Sequence, residues 1–362
     1  MIRNLFKRKH RLIWITFIFA LILLWFFPSW TPKIRDEAGK VISGSVAILE
    51  RVELGGKKQS ILIRGNDSTK PVILFLHGGP GYPQIAYARK YQKELEKDFI
   101  VVNWDQRGAG KSYHWGMTEE DLQIDRLVED THELTAYLRT KFNQSKIFVA
   151  GHSWGSLLAT WTVQKYPGDY YAYIGIGQVA HSPEGEQVSY NFVLQEAKRT
   201  KNDEALKELE SIGSPPYQHP RKDTTLERKW VTAFGGSERN ISSYKDLIKG
   251  VLFAPEYTWL DGVRLAIGDS VSRHAIMPQT KDVNLFESVP ELKVPVYIMM
   301  GRTDYMTPSE VAYRYYEELK APAKQFIWFE GSAHFPHFEE TDKFTKEMLR
   351  IQEEILGDSI IR

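Results

Sequence analysis

The pentapeptide Gly151-His152-Ser153-Trp154-Gly155 constrains the fold of this chain more than any other segment. It follows the strand-like run 146–150 and precedes the helix-like run 157–161. A serine with glycine two residues before it and two residues after it, between a strand and a helix, is typical of a sharp turn that exposes the serine hydroxyl. A side chain at either glycine position would collide with neighbouring backbone. The pattern therefore predicts Ser153 as a nucleophile at the end of a strand.

A nucleophilic serine needs a general base and a carboxylate that orients this base. A strand predicted over 294–300 ends in Gly301-Arg302-Thr303-Asp304, and a second strand over 325–329 is followed by Glu330-Gly331-Ser332-Ala333-His334. Asp304 and His334 thus both follow the ends of strands, where open α/β sheets place their active sites. The order Ser, Asp, His along the chain also fits the turn at Ser153. We predict His334 as the base and Asp304 as its orienting group.

Other roles are open to these two residues. Asp304 could instead cap a helix N-terminus, as strand-end aspartates often do. His337 is a second candidate for the base, ranked behind His334 because it falls beyond the Gly-x-x-His turn. A metal site at His334 and His337 is disfavoured, because the chain has no His-Glu-x-x-His pattern and no third ligand stands out.

A glycine-rich loop predicts the part of the site that would stabilise a negatively charged oxygen during the reaction. The apolar strand predicted over 71–76 runs directly into His77-Gly78-Gly79-Pro80-Gly81. Loops of this type point backbone N–H groups at a substrate carbonyl oxygen. We predict an oxyanion hole formed by the N–H groups of Gly79 and Trp154, with a plain glycine turn as the alternative.

The segment Gly108-Ala109-Gly110-Lys111-Ser112 ends like a phosphate-binding loop. That motif requires a further glycine five residues before Gly110, and this position holds Asp105. A nucleotide site is therefore disfavoured. We interpret Asp105-Gln106-Arg107-Gly108 as a structural turn that braces the loops of the active site.

Together these motifs resemble those of the α/β-hydrolase superfamily, and specifically those of the proline iminopeptidase (prolyl aminopeptidase, peptidase S33) family. The motifs that carry the resemblance are His77–Gly81, Asp105–Ser112, Gly151–Ser156, Gly301–Asp304 and Gly331–His334. The resemblance implies a mainly parallel central sheet flanked by helices, with a helical cap inserted after the sixth strand. It also implies a serine hydrolase with a Ser153–His334–Asp304 triad, an acyl-enzyme intermediate, and neither cofactor nor metal.

The chain departs from this family in the cap. Members carry a Trp-x-x-Trp-Glu motif whose glutamate helps to hold the free amino group of the substrate. The nearest counterpart here, Trp230–Gly235, lacks the second tryptophan and the glutamate. A buried ammonium group without a carboxylate is costly. Glu184, Glu256 and Asp269 could substitute, although such residues are usually solvated surface charges.

Three hypotheses for the function follow. The first is a hydrolase that cleaves N-terminal, proline-type residues from small peptides or related amides. The second keeps the triad but acts on small carboxylic esters. The third is a non-catalytic sensor on a hydrolase scaffold, whose mark would be a missing triad member, and none is missing.

Composition limits the possible partners. The chain has 362 residues, a formal net charge of +1 and no cysteine. The absence of cysteine excludes disulfides and cysteine-ligated metals, and the balanced charge without a basic face predicts no nucleic-acid partner. We expect a small-molecule or short-peptide substrate, and the sequence predicts no particular oligomeric state.

The N-terminus predicts a membrane anchor. Residues 12–30 carry no charge, and this length approaches the roughly 20 residues that span a bilayer as a helix. Basic residues before it predict a cytoplasmic N-terminus. A cleaved secretory signal is the alternative, disfavoured because no small-x-small cleavage site follows. We expect a single-pass protein of the cell membrane whose catalytic domain is extracellular.

The predicted organisation has six parts. They are a basic N-terminus (1–11), an anchor (12–30), a linker (31–40), a first core segment (41–180), a helical cap (181–284) and a second core segment (285–362). Within the core we expect an antiparallel hairpin that turns at Gly55-Gly56, and a helix over 85–97. Most cap aromatics should form the core of the cap; Trp230, Phe234 and Phe253 are the candidates for an apolar pocket above Ser153.

Overall fold

Eight β-strands form one sheet in the computed structural model, which describes residues 10, 14–16 and 28–360 and gives only the backbone at 358–360. The strands are β1 (Val46–Leu54), β2 (Lys57–Gly65), β3 (Val72–Leu76), β4 (Ile100–Trp104), β5 (Ile147–His152), β6 (Tyr170–Ile176), β7 (Val296–Gly301) and β8 (Lys324–Phe329). They are ordered β1-β2-β4-β3-β5-β6-β7-β8. The β1–β2 and β2–β4 pairs are antiparallel and all the other pairs are parallel. The predicted mainly parallel sheet is confirmed.

The central strands are apolar along their whole length because both faces of the sheet are covered. In β3, Val72, Leu74 and Leu76 belong to one hydrophobic cluster, whereas Ile73 and Phe75 belong to another. Successive side chains of a strand point to opposite faces, so a continuous apolar run supplies both clusters at once. This burial holds the ends of the parallel strands, and the loops that follow them, in fixed positions.

Helices connect the strands and cover the sheet. The α-helices are α1 (Ile85–Gln92), α2 (Ile124–Lys141), α3 (Trp154–Lys165), α4 (Ser182–Arg199), α5 (Asp203–Ile212), α6 (Pro220–Ala233), α7 (Ser243–Phe253), α8 (Trp259–Thr280), α9 (Leu285–Ser288), α10 (Ser309–Glu318), α11 (Pro336–Glu339) and α12 (Thr341–Ile360). Short 3-10 helices lie at Leu95–Lys97, Gly110–Ser112, Glu119–Leu122 and Pro167–Asp169.

A run of helices, α4 to α8, is inserted between β6 and β7, as expected for a cap after the sixth strand. The two ends of this insertion lie side by side, since His181 forms an isolated antiparallel bridge with Asn284. The N–H of Leu285 donates to the carbonyl oxygen of Ala180 at 2.8 Å. These contacts support cap boundaries near 181 and 284, which stay a prediction together with the other segment limits.

The predicted membrane anchor is not supported. Most of residues 12–30 lie outside the described chain, and no helix within the described part is long and apolar enough to cross a bilayer. The end of the segment contacts the globular domain instead: Ser29 Oγ accepts a hydrogen bond from Lys111 Nζ, and the Trp30 N–H donates to the Pro255 carbonyl oxygen. The predicted single-pass localisation, with a cytoplasmic N-terminus and an extracellular catalytic domain, was therefore wrong.

A buried ion pair fastens the loop after β4. Arg107 donates from Nε and Nη2 to both carboxylate oxygens of Asp130 on α2, at 2.5 and 2.9 Å. Its Nη2 also reaches the carbonyl oxygens of Leu54 and Gly55 at the hairpin turn, at 2.9 and 3.1 Å. The side chains of Arg107 and Asp130 are only 2% and 0% exposed, so Asp130 is the anion that compensates the buried Arg107. Asp130 is also 3.0 Å from Nε of the more exposed Arg126 and accepts a hydrogen bond from Gln59 at 2.7 Å.

We predict that Arg107→Ala lowers the free energy of unfolding by about 3 kcal/mol, the low end for a broken buried pair, because Asp130 loses its buried cation and keeps only Arg126 and Gln59 as partners. The matched control is Arg199→Ala, which removes an ion pair with Glu196 from an arginine that is 70% exposed. That change should cost at most about 1 kcal/mol. Denaturant unfolding of both variants measures the difference, and equal costs would contradict the structural role of Arg107.

Candidate active site

Ser153 occupies the sharp turn between β5 and α3 that the sequence predicts. Its φ of 55° lies in the left-handed region, which non-glycine residues rarely adopt. The flanking glycines permit this turn: a Cβ at Gly151 would collide with the carbonyl oxygen of Gly155, and a Cβ at Gly155 with that of Leu76. The glycine spacing therefore follows from close backbone packing around the serine.

His334 and Asp304 lie together, as the sequence predicts. His334 Nδ1 is 2.9 Å from Asp304 Oδ2, and the two side chains are 4% and 0% exposed. Because a carboxylate only accepts hydrogen bonds, Nδ1 carries the proton in the neutral ring and Nε2 keeps a free lone pair. The other carboxylate oxygen, Oδ1, accepts the backbone N–H groups of Met306 and Thr307 at 2.9 and 3.0 Å. The carboxylate is thus fixed at both oxygens.

Thr307 is a further residue of the site, not predicted from the sequence. Its hydroxyl lies 3.0 Å from Asp304 Oδ2, 3.0 Å from the carbonyl oxygen of Gly177 and 3.2 Å from His334 Nδ1. It can donate its single proton to either oxygen acceptor, and so it ties the Asp304–His334 pair to the end of β6. The threonine follows Asp304 by three residues, but no sequence signal distinguishes it from an ordinary turn residue.

The Ser153 turn and the Asp304–His334 pair meet at the carboxyl end of β6. The Ser153 N–H donates to the carbonyl oxygen of Ile176 at 2.9 Å, one residue before the Gly177 carbonyl that faces Thr307. His152, adjacent to the serine, lies with Nε2 2.8 Å from the carbonyl oxygen of His334. Within the described residues no hydrogen bond joins the Ser153 hydroxyl to the His334 ring. Such bonds are often long in unliganded sites.

Gln106 connects the glycine-rich loop to the Ser153 turn by hydrogen bonds. The backbone N–H of Gln106 donates to His77 Nε2 at 3.1 Å, and its side-chain amide donates to the His77 carbonyl oxygen at 2.9 Å. The same side chain accepts the indole N–H of Trp154 at 2.9 Å. Gly79 and Trp154 both line a cavity that also contains Ser153. One side chain therefore links the two segments that hold the predicted oxyanion-hole donors.

Three other histidines near the site are kept neutral by burial. Burial lowers the pKa of His77 to about 4, and it also lowers the pKa values of His152 and His337 far below the usual range. Neither ring nitrogen of His337 has a hydrogen-bond partner among the described residues. His334 is the one of these four rings that contacts a carboxylate, which favours it over His337 as the base.

A cavity of about 200 Å³ lies beside Ser153. Its wall is formed by the Ser153 turn, the glycine-rich loop and the segment after β6, together with the cap helices α4, α6 and α8 and residues 306–311. Its charged lining residues are Glu186, Arg228 and Arg273, and its larger apolar ones are Leu157, Val179, Met277, Met306 and Val311. None of these lining residues was predicted from the sequence, because their approach to Ser153 depends on how the cap helices pack.

The three aromatic residues predicted for the pocket lie elsewhere. Trp230 is 5% exposed and stacks on Phe234, with ring centroids 5.6 Å apart, in a hydrophobic cluster internal to the cap. Phe253 is 80% exposed at the end of α7. None of the three is among the described residues that line the cavity.

Comparison with known proteins agrees with this architecture. Residues 71–341 match the family model for the α/β hydrolase fold. The chain is 38% identical over 317 residues to the probable aminopeptidase YbaC of Bacillus subtilis, a match that covers 84% of this chain and 96% of that protein. It is 25% identical over 303 residues to the proline iminopeptidase of Heyndrickxia coagulans, covering 80% and 93% of the two chains.

Solved structures show the same fold. The crystal structure of the proline iminopeptidase from Mycobacterium smegmatis superposes with a TM-score of 0.62 at 15% identity, covering 86% of this chain and all of the other. The esterase EaEST from Exiguobacterium antarcticum gives a TM-score of 0.55 at 16% identity, covering 84% of this chain. The chain therefore belongs to the α/β-hydrolase family, and its relatives include aminopeptidases and proline iminopeptidases.

Proposed function

We propose that this protein is a serine hydrolase of the aminopeptidase type, in which Ser153, His334 and Asp304 form the catalytic triad. The observation that carries the proposal is the 2.9 Å contact between His334 Nδ1 and the fixed carboxylate of Asp304, at the same sheet edge as the strained turn of Ser153. The relatives named aminopeptidase and proline iminopeptidase support an amide substrate.

The first half of the proposed reaction forms an acyl-enzyme. His334 Nε2 takes the proton of the Ser153 hydroxyl while Oγ bonds to the substrate carbonyl carbon, and the carbonyl electron pair moves onto oxygen. Asp304 stabilises the imidazolium that results. The amine leaves with the proton from His334 when the tetrahedral intermediate collapses, and Ser153 keeps the acyl group as an ester.

The second half hydrolyses this ester. His334 removes a proton from water, the water oxygen attacks the acyl carbon, and the proton returns to Ser153 as the carboxylic acid leaves. In both halves the negative oxygen would be stabilised by the N–H groups of Gly79 and Trp154. Trp154 is suited to this role because it begins α3, and the first N–H groups of a helix have no intrahelical acceptor.

We predict that Ser153→Ala abolishes labelling of the protein by a fluorophosphonate probe and lowers hydrolysis by about 10⁴-fold or more, because the members of a triad act as a unit. Ser145→Ala, at an exposed serine before β5, is the control and should label like the wild type. Labelling that persists without Ser153 would place the nucleophile elsewhere. A folded wild type that never labels would favour a non-catalytic sensor.

We also predict that His334→Ala lowers kcat/KM by about 10³-fold or more, whereas His337→Ala changes it by less than about tenfold. The reason is that His334 donates its Nδ1–H to the Asp304 carboxylate, which orients the ring and stabilises its protonated form, so that Nε2 can act as the base; neither ring nitrogen of His337 has such a partner among the described residues. Steady-state kinetics of the two folded variants measure this contrast. Activity retained in His334→Ala but lost in His337→Ala would reverse the assignment.

The substrate class is tested by a panel of chromogenic compounds on the full chain. We expect turnover of aminoacyl p-nitroanilides, with the prolyl compound as the leading substrate, because the relatives support an exopeptidase of this type. Short-chain p-nitrophenyl esters serve as the comparison, since the same triad can hydrolyse activated esters. Turnover of the esters alone would make the protein a carboxylesterase-type hydrolase and contradict the peptidase proposal.

A further inference from the structure

The cavity beside Ser153 has an uneven set of charges in its wall. Three charged side chains line it, each from a different cap helix: Glu186 on α4, Arg228 on α6 and Arg273 on α8. In the described part of the chain Glu186 is the one acidic residue of this lining. Whether each charge is already compensated decides what the cavity can bind.

Both arginines are engaged by the protein itself. Arg228 Nη1 donates to the Ser189 hydroxyl at 2.5 Å and to the Tyr305 carbonyl oxygen at 3.2 Å, and it lies 3.3 Å from the buried carboxylate of Glu227. Arg273 Nε donates to Asp269 at 2.8 Å. Each cation therefore has an anionic partner before any substrate enters.

Glu186 differs from the arginines in this respect. Its carboxylate makes no hydrogen bond, and it lies within 4.0 Å of no cationic group, among the residues that the structure describes. Burial raises its pKa, which Arg228 partly offsets at longer range. Because Glu186 is only partly buried, its carboxylate is accessible, and a cationic ligand can pair with it without breaking an existing ion pair.

The other acidic candidates are already paired. Glu184 contacts Arg314 near the surface, Glu256 accepts a hydrogen bond from Arg89 at 3.0 Å, and Asp269 is bound to Arg273. None of these three lines the cavity within the described residues. Neutralising a bound ammonium group at the cavity wall thus falls to Glu186.

We propose that Glu186 is the specificity residue that receives the free α-amino group of the substrate. This inference rests on the proposed aminopeptidase function and extends it to the chemistry of recognition. A substrate with a positively charged amino terminus pairs with Glu186, while its carbonyl carbon is presented to Ser153, which lines the same cavity. The short segment 178–186 joins the end of β6, where the Ser153 N–H is bound, to this glutamate.

The test compares two p-nitroanilides that differ at the amino group alone. Proline p-nitroanilide carries the ring ammonium, and its cyclopentanecarboxylic acid analogue replaces that nitrogen by carbon. In the wild type the ratio of kcat/KM between the two should strongly favour the prolyl compound. Glu186→Gln should lower this ratio by about 10- to 100-fold, the usual loss for one charge-assisted hydrogen bond.

Glu184→Gln is the matched control, because it removes a carboxylate from the same helix that contacts Arg314 instead of the cavity. It should leave the ratio unchanged. Fluorophosphonate should still label Ser153 in both variants, which verifies that each variant folds and keeps its nucleophile.

The outcomes separate the two proposals. An unchanged ratio in Glu186→Gln, with prolyl turnover intact, would overturn the role of Glu186 and leave the aminopeptidase proposal standing. A wild type that labels with fluorophosphonate but cleaves neither anilide would overturn the aminopeptidase proposal, and the inference with it. Equal wild-type rates on both anilides would show an amidase that does not recognise the amino group.

Discussion

The backbone contact between the Ser153 turn and the end of β3 is the constraint on which the rest of the site depends. Gly155 lies so close to the Leu76 carbonyl oxygen that no side chain fits between them. Leu76 is followed directly by the glycine-rich loop. A non-glycine residue at positive φ costs on the order of 1–3 kcal/mol, which the surrounding packing must offset. The nucleophile and the predicted oxyanion loop are therefore fixed to each other by main-chain packing.

Burial of uncharged histidines around His334 complements this arrangement. The ring centroid of His152 is 4.7 Å from that of His334, and the ring centroid of His337 is 4.7 Å from that of His152. A second positive charge at this distance would oppose formation of an imidazolium at His334. Because burial keeps the neighbouring rings neutral, the charge of Asp304 acts on His334 without such opposition.

The core fold was predictable because its signals are local. The hairpin turns at Gly55-Gly56 between β1 and β2, and the continuous apolar runs are the buried parallel strands. The predicted helix over 85–97 was only partly correct: α1 ends at Gln92, and a 3-10 turn follows at Leu95–Lys97. Glu96 in that turn pairs with Arg64 of β2 at 2.7 Å, so a contact distant in sequence holds the turn against the sheet.

The candidate catalytic residues were also predictable from local patterns, since each follows a strand in a short motif. The residues that line the cavity were not predictable from local patterns, because they depend on how the cap helices are rotated about their axes. On α6, Trp230 and Arg228 are two residues apart, about 200° around a helix. When Trp230 points into the cap core, Arg228 must therefore face the opposite side, where Thr224, one turn earlier, lines the cavity with it. Trp230 and Phe234, two of the aromatic residues that the sequence suggested for the pocket, instead pack inside the cap, and the opposite face of α6 is thereby turned to the cavity beside Ser153.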